Sequence, residues 1–212
     1  MGHCHIRPDT AFAVGVFFQF IQNLGPMHWE DVKRLISYLA STKGLWLTFC
    51  GKKQSLLEGY SDLDWVSQKH CHSISGFTFH YGQGTISWSL KKQAIIALSS
   101  TEAEYIAQTH VAKEAMWLKT FVNKTRGGQA GLLIIMVDNQ SAIVLARDNK
   151  FHSHTKHIDL HYHFIHEAVE DEQIKMEYIL TVDNIADIFM KALPKLKFTE
   201  FVGKLGLAIM RE

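Results

Sequence analysis

Four acidic residues occupy positions from which their carboxylates could reach one site. Asp62 ends a strand-like run, and Asp138 directly follows the apolar run 132–137. Glu104 and Asp187 lie in stretches that are typical of helices. Carboxylates delivered by two strands and two helices can hold two divalent cations about 4 Å apart, an arrangement that cleaves phosphodiesters by in-line attack of water. We therefore treat these four residues as candidate catalytic residues and metal ligands.

The type of residue also suits this chemistry. Hard cations such as Mg²⁺ take oxygen ligands, so Asp and Glu are suitable side chains. A single Asp or Glu is most often a solvated surface charge. For Asp138 that interpretation is weaker, because an apolar strand delivers the residue at its carboxyl end. Asp64 remains an alternative to Asp62 as the first ligand, since residues two apart on a strand share a face.

The composition is that of a soluble globular protein with ample material for a core. The chain has 212 residues, of which 47% are hydrophobic and 20% charged. Its net charge of +1 gives no overall basic bias, so a nucleic-acid footprint must be a local patch. Three cysteines without metal-type spacing favour a reducing compartment. The apolar run 11–18 follows Asp9 and lacks a small-residue cleavage site, unlike a signal peptide. We expect an intracellular protein, cytoplasmic or nuclear, that is not secreted and does not contact a membrane.

The first 50 residues differ in organisation from the rest. Their pattern predicts a helix from Asp9 to about Gln22, a second over 29–39 and a short strand over 45–49. Two helices and one strand bury too little to stand alone. We therefore divide the chain into residues 1–50 and residues 51–212, and expect the first part to be dispensable for the fold of the second.

Residues 51–212 show a regular order of strands and helices. The predicted elements are a strand ending at Asp62, a hairpin over 75–81 and 85–89, a helix over 99–123, a strand over 132–137, helices over 139–147 and 157–169, a strand over 174–179, and helices over 183–192 and 197–205. This order predicts an α/β fold with a mixed five-stranded sheet and helical cover.

Several short motifs in this part of the chain resemble those of one family. They are Gly59-Tyr60-Ser61-Asp62-Leu63-Asp64-Trp65, Ser73-Ile74-Ser75-Gly76, Ser99-Ser100-Thr101-Glu102-Ala103-Glu104, Asp138-Asn139-Gln140-Ser141-Ala142, Thr155-Lys156-His157-Ile158-Asp159 and Ala186-Asp187-Ile188-Phe189. In this order they resemble the ribonuclease H domain of copia-type LTR retrotransposon Pol polyproteins, over about residues 56–206. Arg7-Pro8-Asp9 and His28-Trp29 resemble the segment before that domain, at the end of the reverse transcriptase.

The resemblance implies a fold, an activity and partners. The fold is a ribonuclease H-like mixed five-stranded sheet with helices on both faces, preceded by a small, mostly helical remnant of the reverse transcriptase over residues 1–50. The activity is hydrolysis of the RNA strand of an RNA–DNA hybrid with two Mg²⁺ ions, for which Mn²⁺ can substitute. Asp62, Glu104, Asp138 and Asp187 become the metal ligands. The expected partners are the hybrid and the reverse transcriptase portion.

Binding of the hybrid would use groups around these carboxylates. The candidate nucleic-acid-binding residues are Lys91, Lys92, Asn139, Gln140, Lys156 and His157. Histidines stand at 154 and 161, where the family usually has Arg. Because histidine is largely neutral near pH 7, we expect weakened affinity for the substrate rather than loss of the metal site.

Two alternative functions remain open at this point. The first is a decayed or domesticated ribonuclease H-like module that binds nucleic acid or protein without cleavage. The second is a zinc-dependent hydrolase built on the histidines between 152 and 166, of which His157 and His161 have i, i+4 spacing. No cysteine or acidic ligand completes a recognisable zinc spacing, so the zinc hypothesis is the weaker of the two.

Overall fold

The computed structural model describes residues 6–49, 56–64, 73–93, 100–126, 131–147 and 156–209. The strands in these ranges are β1 (Leu45–Leu47), β2 (Leu57–Asp64), β3 (Ile74–Tyr81), β4 (Gly84–Lys92), β5 (Leu133–Val137), β6 (Ile174–Tyr178) and β7 (Leu207–Ile209). The helices are α1 (Ala11–Phe20), α2 (Pro26–Ser41), α3 (Ser100–Arg126), α4 (Gln140–Arg147), α5 (Lys156–Glu170), α6 (Asp187–Met190) and α7 (Lys195–Lys204). Short 3-10 helices cover Pro8–Thr10 and Thr181–Asp183.

Five strands form a mixed sheet in the order β4-β3-β2-β5-β6. The β2–β3 and β3–β4 pairs are antiparallel, whereas β2–β5 and β5–β6 are parallel. The predicted hairpin is confirmed. Its tight turn has positive φ angles of 62° at Gly82 and 67° at Gln83, which suit the twist of a two-residue hairpin. The prediction of a mixed five-stranded α/β fold is therefore confirmed.

Helices cover both faces of this sheet and bury two apolar cores. On one face, α3, α4 and α5 supply the first core around Phe79, Ile135 and Ile165, which are almost fully buried. On the other face, α1, α6 and α7 supply the second core around Phe189 and Phe201. Every helix in the described ranges is too short or too polar to cross a membrane.

Residues before position 50 pack against the second core. β1 pairs with β7 in an antiparallel two-stranded sheet, with Leu45 opposite Ile209. The Thr48 backbone N–H donates a hydrogen bond to the Gly206 carbonyl oxygen at 2.8 Å. The predicted boundary at residue 50 thus assigns β1 and its partner β7 to different parts of the chain. That boundary, and the dispensability of residues 1–50, stay predictions.

A buried ion pair holds the N-terminal helices together. The guanidinium Nε and Nη2 of Arg7 donate to the Asp9 carboxylate, at 2.9 and 2.8 Å, and the Asp9 side chain is fully buried. The Tyr38 hydroxyl of α2 donates to the same carboxylate at 2.6 Å. Arg7 Nη2 also donates to Thr42 Oγ1 at 2.9 Å. Asp9 therefore joins the start of α1 to the end of α2.

Two predictions about the C-terminal part differ from the structure. The single helix predicted over 183–192 is wrong, because Asn184 is extended and separates the 3-10 helix from the four-residue α6. The Asn184 side chain bonds to backbone groups outside a helix, which competes with helix formation at that position. β7 was not predicted, since three residues carry too little periodicity and their partner lies far away in the chain.

We predict that Asp9→Ala lowers the free energy of unfolding by about 3 kcal/mol, because it leaves Arg7 and Tyr38 without their buried partner. Urea denaturation followed by circular dichroism measures the change. Asp31→Ala is the matched control, since the exposed Asp31–Arg34 pair on α2 should contribute less than about 0.5 kcal/mol. Equal losses in the two variants would contradict a structural role for the buried pair.

Candidate metal centre

Two neighbouring parallel strands bring Asp62 and Asp138 together. Ser61 of β2 is the register partner of Val137 of β5, so the next residues along are Asp62 and Asp138. Val137 lies in the first core. Because side chains alternate along a strand, Asp62 and Asp138 belong to the opposite face of the sheet, which α6 covers. The parallel pairing alone therefore places two carboxylates side by side.

Close packing of α6 on β3 brings the third carboxylate. Gly76 is the partner of Asp62 across the β2–β3 pair. A Cβ atom at Gly76 would lie only 2.7 Å from Met190 Sδ and 3.3 Å from Phe189 Cβ, so the absence of a side chain lets α6 lie directly on the sheet. Asp187 begins this helix and thereby faces the end of β2.

Asn184 ties the segment before α6 to the same strand. Its side chain is fully buried, and Nδ2 donates a hydrogen bond to the Ser61 carbonyl oxygen at 3.0 Å. Its Oδ1 accepts from the Ala186 backbone N–H at 3.2 Å. Since Ser61 precedes Asp62 and Ala186 precedes Asp187, one amide side chain fixes the spacing of the two acidic residues.

The three carboxylates form a compact acidic group, which we call the triad: Asp62, Asp138 and Asp187. One oxygen from each lies within 4.8 Å of the others. Asp187 is 5% exposed, and the other two are partly buried. Like charges this close need a proton or positive charge nearby. The donor set of oxygens alone suits Mg²⁺ or Mn²⁺.

The two oxygens of Asp187 have different surroundings. Oδ2 lies 2.9 Å from Lys191 Nζ. Oδ1 is buried and has no hydrogen-bond partner among the residues that the structure describes. A buried carboxylate oxygen without a partner is costly, and a divalent cation would satisfy it. The residues present therefore fit a metal ion.

Electrostatics in the triad reflect the crowding of negative charge. Burial, hydrogen bonding with Asp187 and the charges of Asp138 and Asp187 raise the pKa of Asp62 well above its usual range, to about 7, although Lys191 opposes the shift. Burial lowers the pKa of Lys191, but hydrogen bonding to Asp187 and the three carboxylate charges outweigh that effect and raise it. The triad thus holds a proton or a cation more readily than separate carboxylates do.

The remaining predicted site residues fall into two groups. Glu104 lies near the start of α3, but the structure describes only its backbone, as it does for Asp64, Lys92, Lys156 and His157. Their contribution to the site stays a prediction, and so does the choice of Asp62 over Asp64.

The second group comprises the candidates whose side chains are described. Asn139 directly follows Asp138, and its carbonyl oxygen accepts the Ile143 backbone N–H at the start of α4. Gln140 is the exposed first residue of α4. Lys91 is partly buried in β4 and lies at the same end of the sheet as Asp62. Their role in binding nucleic acid remains a prediction.

The histidine cluster lies largely outside the described side chains. His152 and His154 are outside the described residues, and only the backbones of His157 and His161 are described. His163 is exposed on α5. His166 Nδ1 lies 3.5 Å from Glu170 Oε2, as expected for an i, i+4 pair on that helix.

Two residues at the site were not foreseen from the sequence. Lys191 follows Asp187 at the i, i+4 spacing typical of helical ion pairs, and this spacing could have indicated it. Asn184 carries no such signal, because its partner Ser61 is distant in the chain.

The chain is similar to Pol polyproteins of plant transposons. It is 44% identical over 201 residues to the retrovirus-related Pol polyprotein from transposon TNT 1-94 of Nicotiana tabacum, a match that covers 93% of this chain and 15% of the relative. It is 34% identical over 203 residues to that from transposon RE2 of Arabidopsis thaliana, covering 95% of this chain and 14% of the relative. The chain thus spans about one seventh of the length of these relatives. No family model matches.

A solved structure is also similar. A ribonuclease H1 isolated from compost by a metagenomic approach superimposes with a TM-score of 0.46 at 15% identity, covering 64% of this chain and 93% of that chain.

We predict that Asp62→Asn stabilises the metal-free protein at pH 8 by on the order of 2 kcal/mol. The pKa of Asp62 is raised in the folded state, whereas in the unfolded state it is near 4. Deprotonation of Asp62 therefore destabilises the fold as pH rises from about 4 towards 7. The asparagine cannot lose a proton, so the difference between variant and wild type should disappear near pH 4. Urea denaturation of both proteins in chelator, at pH 4 and at pH 8, measures this difference in stability.

Two controls isolate the effect of Asp62. Burial lowers the pKa of His80 to about 4, so His80 also destabilises the fold as pH falls from about 6.5 to 4, but it does so equally in both proteins. Asp171→Asn, at an exposed turn, is the matched control and should leave stability unchanged. A stabilisation by Asp62→Asn that is the same at pH 4 and pH 8 would contradict the predicted cause.

Proposed function

The chain belongs to the retrovirus-related Pol polyproteins of transposons, and on this basis we propose that it is a ribonuclease H-like endonuclease. It would hydrolyse the RNA strand of RNA–DNA hybrids with two divalent metal ions. Residues 51–212 would form the nuclease, and residues 1–50 would correspond to the end of the reverse transcriptase. Mg²⁺ is the proposed metal, and Mn²⁺ should substitute for it.

One observation carries this proposal: carboxylates from β2, from α6 and from the residue that follows β5 converge at one end of a mixed five-stranded sheet. A triad of Asp side chains fits hard cations better than zinc, which favours nitrogen and sulfur ligands. Glu104 is the proposed fourth ligand, because its motif resembles that of the family; it lies near the start of α3.

The residues of the triad would hold and orient the metal ions. Asp62 and Asp138 would bind from the strand side, and the free Oδ1 of Asp187 would bind from the helix side. Bound divalent cations supply an activated water and relieve the charge that develops on the phosphate during in-line displacement. Because Asn184 bonds the segment before α6 to the backbone of β2, the carboxylates would need little reorganisation.

Recognition of the substrate would rely on the nucleic-acid backbone. An RNA–DNA hybrid is read by its shape and its 2′-hydroxyl groups rather than by base edges. Lys91 and Lys92 at the end of β4, Asn139 and Gln140 at the start of α4, and Lys156 and His157 at the start of α5 are the proposed contacts.

We predict that Asp138→Asn reduces cleavage of a labelled RNA–DNA hybrid in Mg²⁺ to below about one hundredth of the wild-type rate, because the triad loses a charged ligand. The fold should be intact by circular dichroism. Asp171→Asn is the matched control and should retain full activity. Chelation of divalent metal should abolish cleavage by the wild type, and double-stranded DNA should not be cut.

The same assay distinguishes the alternative function. A wild-type protein that binds the hybrid but does not cut it in either Mg²⁺ or Mn²⁺ would support a binding module without cleavage. Full Mg²⁺-dependent cleavage by Asp138→Asn would show that the metal site lies elsewhere.

We also predict that Lys91→Gln weakens binding of the hybrid roughly threefold near physiological salt. It should lower the slope of log affinity against log salt by about one, because one phosphate contact is lost. Fluorescence anisotropy at several salt concentrations, with chelator present, measures both quantities. Lys124→Gln, exposed near the far end of α3, is the matched control. An unchanged salt slope in Lys91→Gln would exclude a phosphate contact at this residue.

A further inference from the structure

Lys191 folds back onto the triad from the end of α6. Its extended backbone ends the helix, and its backbone N–H donates to the Asp187 carbonyl oxygen at 3.2 Å. Its side chain turns to the same residue, with Nζ 2.9 Å from Asp187 Oδ2. The Asp187 side chain is 6% exposed, whereas that of Lys191 is 47% exposed. A cation that can reach solvent is therefore held against a buried carboxylate.

This contact differs from an ordinary surface ion pair in its surroundings. Asp187 Oδ2 belongs to a group of three carboxylates within 4.8 Å of one another, so the ammonium group offsets the repulsion of all three. The remaining oxygen, Oδ1, is left without a hydrogen-bond partner in the described part of the chain. The ammonium group thus satisfies one oxygen of Asp187 and leaves the other without a hydrogen-bond partner in the described residues.

We propose that Lys191 is a positioning residue that acts as a placeholder cation, holding Asp187 in the metal-free protein and withdrawing when a divalent ion binds the triad. This inference rests on the proposed function. Its consequence is twofold: Lys191 stabilises the metal-free fold, and it weakens the affinity of the triad for metal.

The chemistry of the side chain suits this role. Lysine carries a compact charge on a flexible four-carbon stem, so its ammonium group can leave Oδ2 without a change in the backbone. A divalent ion brings more charge to the same carboxylates, and the ammonium group is then repelled by that ion. Because half of the Lys191 side chain is already in contact with solvent, its release loses little packing.

Metal binding without nucleic acid tests the proposal directly. Isothermal titration of the full chain with Mn²⁺ should show roughly fivefold tighter apparent affinity in Lys191→Gln than in the wild type, since the competing cation is gone. Lys191→Arg keeps the charge and should remain close to the wild type. Lys197→Gln is the matched control, because it makes the same change in net charge at a residue that pairs with Glu200 on α7.

Stability provides a second readout that does not depend on activity. In chelator, Lys191→Gln should unfold at a lower urea concentration than the wild type, and saturating Mg²⁺ should remove the difference. In an Asp187→Asn background, Lys191→Gln should have little further effect in chelator, because the partner of the ammonium group has lost its charge.

The outcomes separate this inference from the proposed function. If the wild type binds Mn²⁺ but Lys191→Gln binds it equally or more weakly, the placeholder role is excluded and the metal site stands. Equal tightening by Lys197→Gln would show a general charge effect and would also exclude it. If the wild type binds no Mn²⁺ at all, the metal site fails and the inference fails with it.

Discussion

Parallel pairing of β2 with β5 is the interaction on which the rest of the site depends. It places Asp62 and Asp138 next to each other at the carboxyl ends of two interior strands, where their charges repel. The sheet can sustain that repulsion because the first apolar core, packed behind Val137 and Ile135, fixes both strands. Packing on both faces of the sheet thus holds the two carboxylates together despite their repulsion. This concentration of negative charge gives the site its affinity for cations.

The second face of the sheet determines where the third carboxylate lies. α6 has only four residues, so it has little helical stability of its own and depends on tertiary packing. Gly76 permits its close approach, and Asn184 bonds it to the backbone of β2. The N-terminal segment contributes to the same face, since Ala11 lies in the second core and a Cβ atom at Gly15 would meet Leu90 of β4. The start of α1 therefore packs on the same face of the sheet as α6.

Lys191 links the electrostatics of the site to its metal chemistry. Three carboxylates close together need positive charge, and a lysine four residues from Asp187 can supply part of it without a metal. In this arrangement the protein would be folded, with the triad in place, before a metal ion binds. The divalent ion would then replace an internal charge instead of neutralising a bare acidic group.

Much of this protein follows from local patterns in its sequence. The alternation of apolar residues predicts the strands and the hairpin, and the ordered motifs indicate the family and the acidic residues Asp62, Asp138 and Asp187. These features depend on neighbouring residues, so they can be read along the chain. The pairing of β1 with β7, the break at Asn184 and the contact of Lys191 with the triad were decided by tertiary structure. Each depends on groups that only folding brings together, and no periodicity in a short segment records its distant partner.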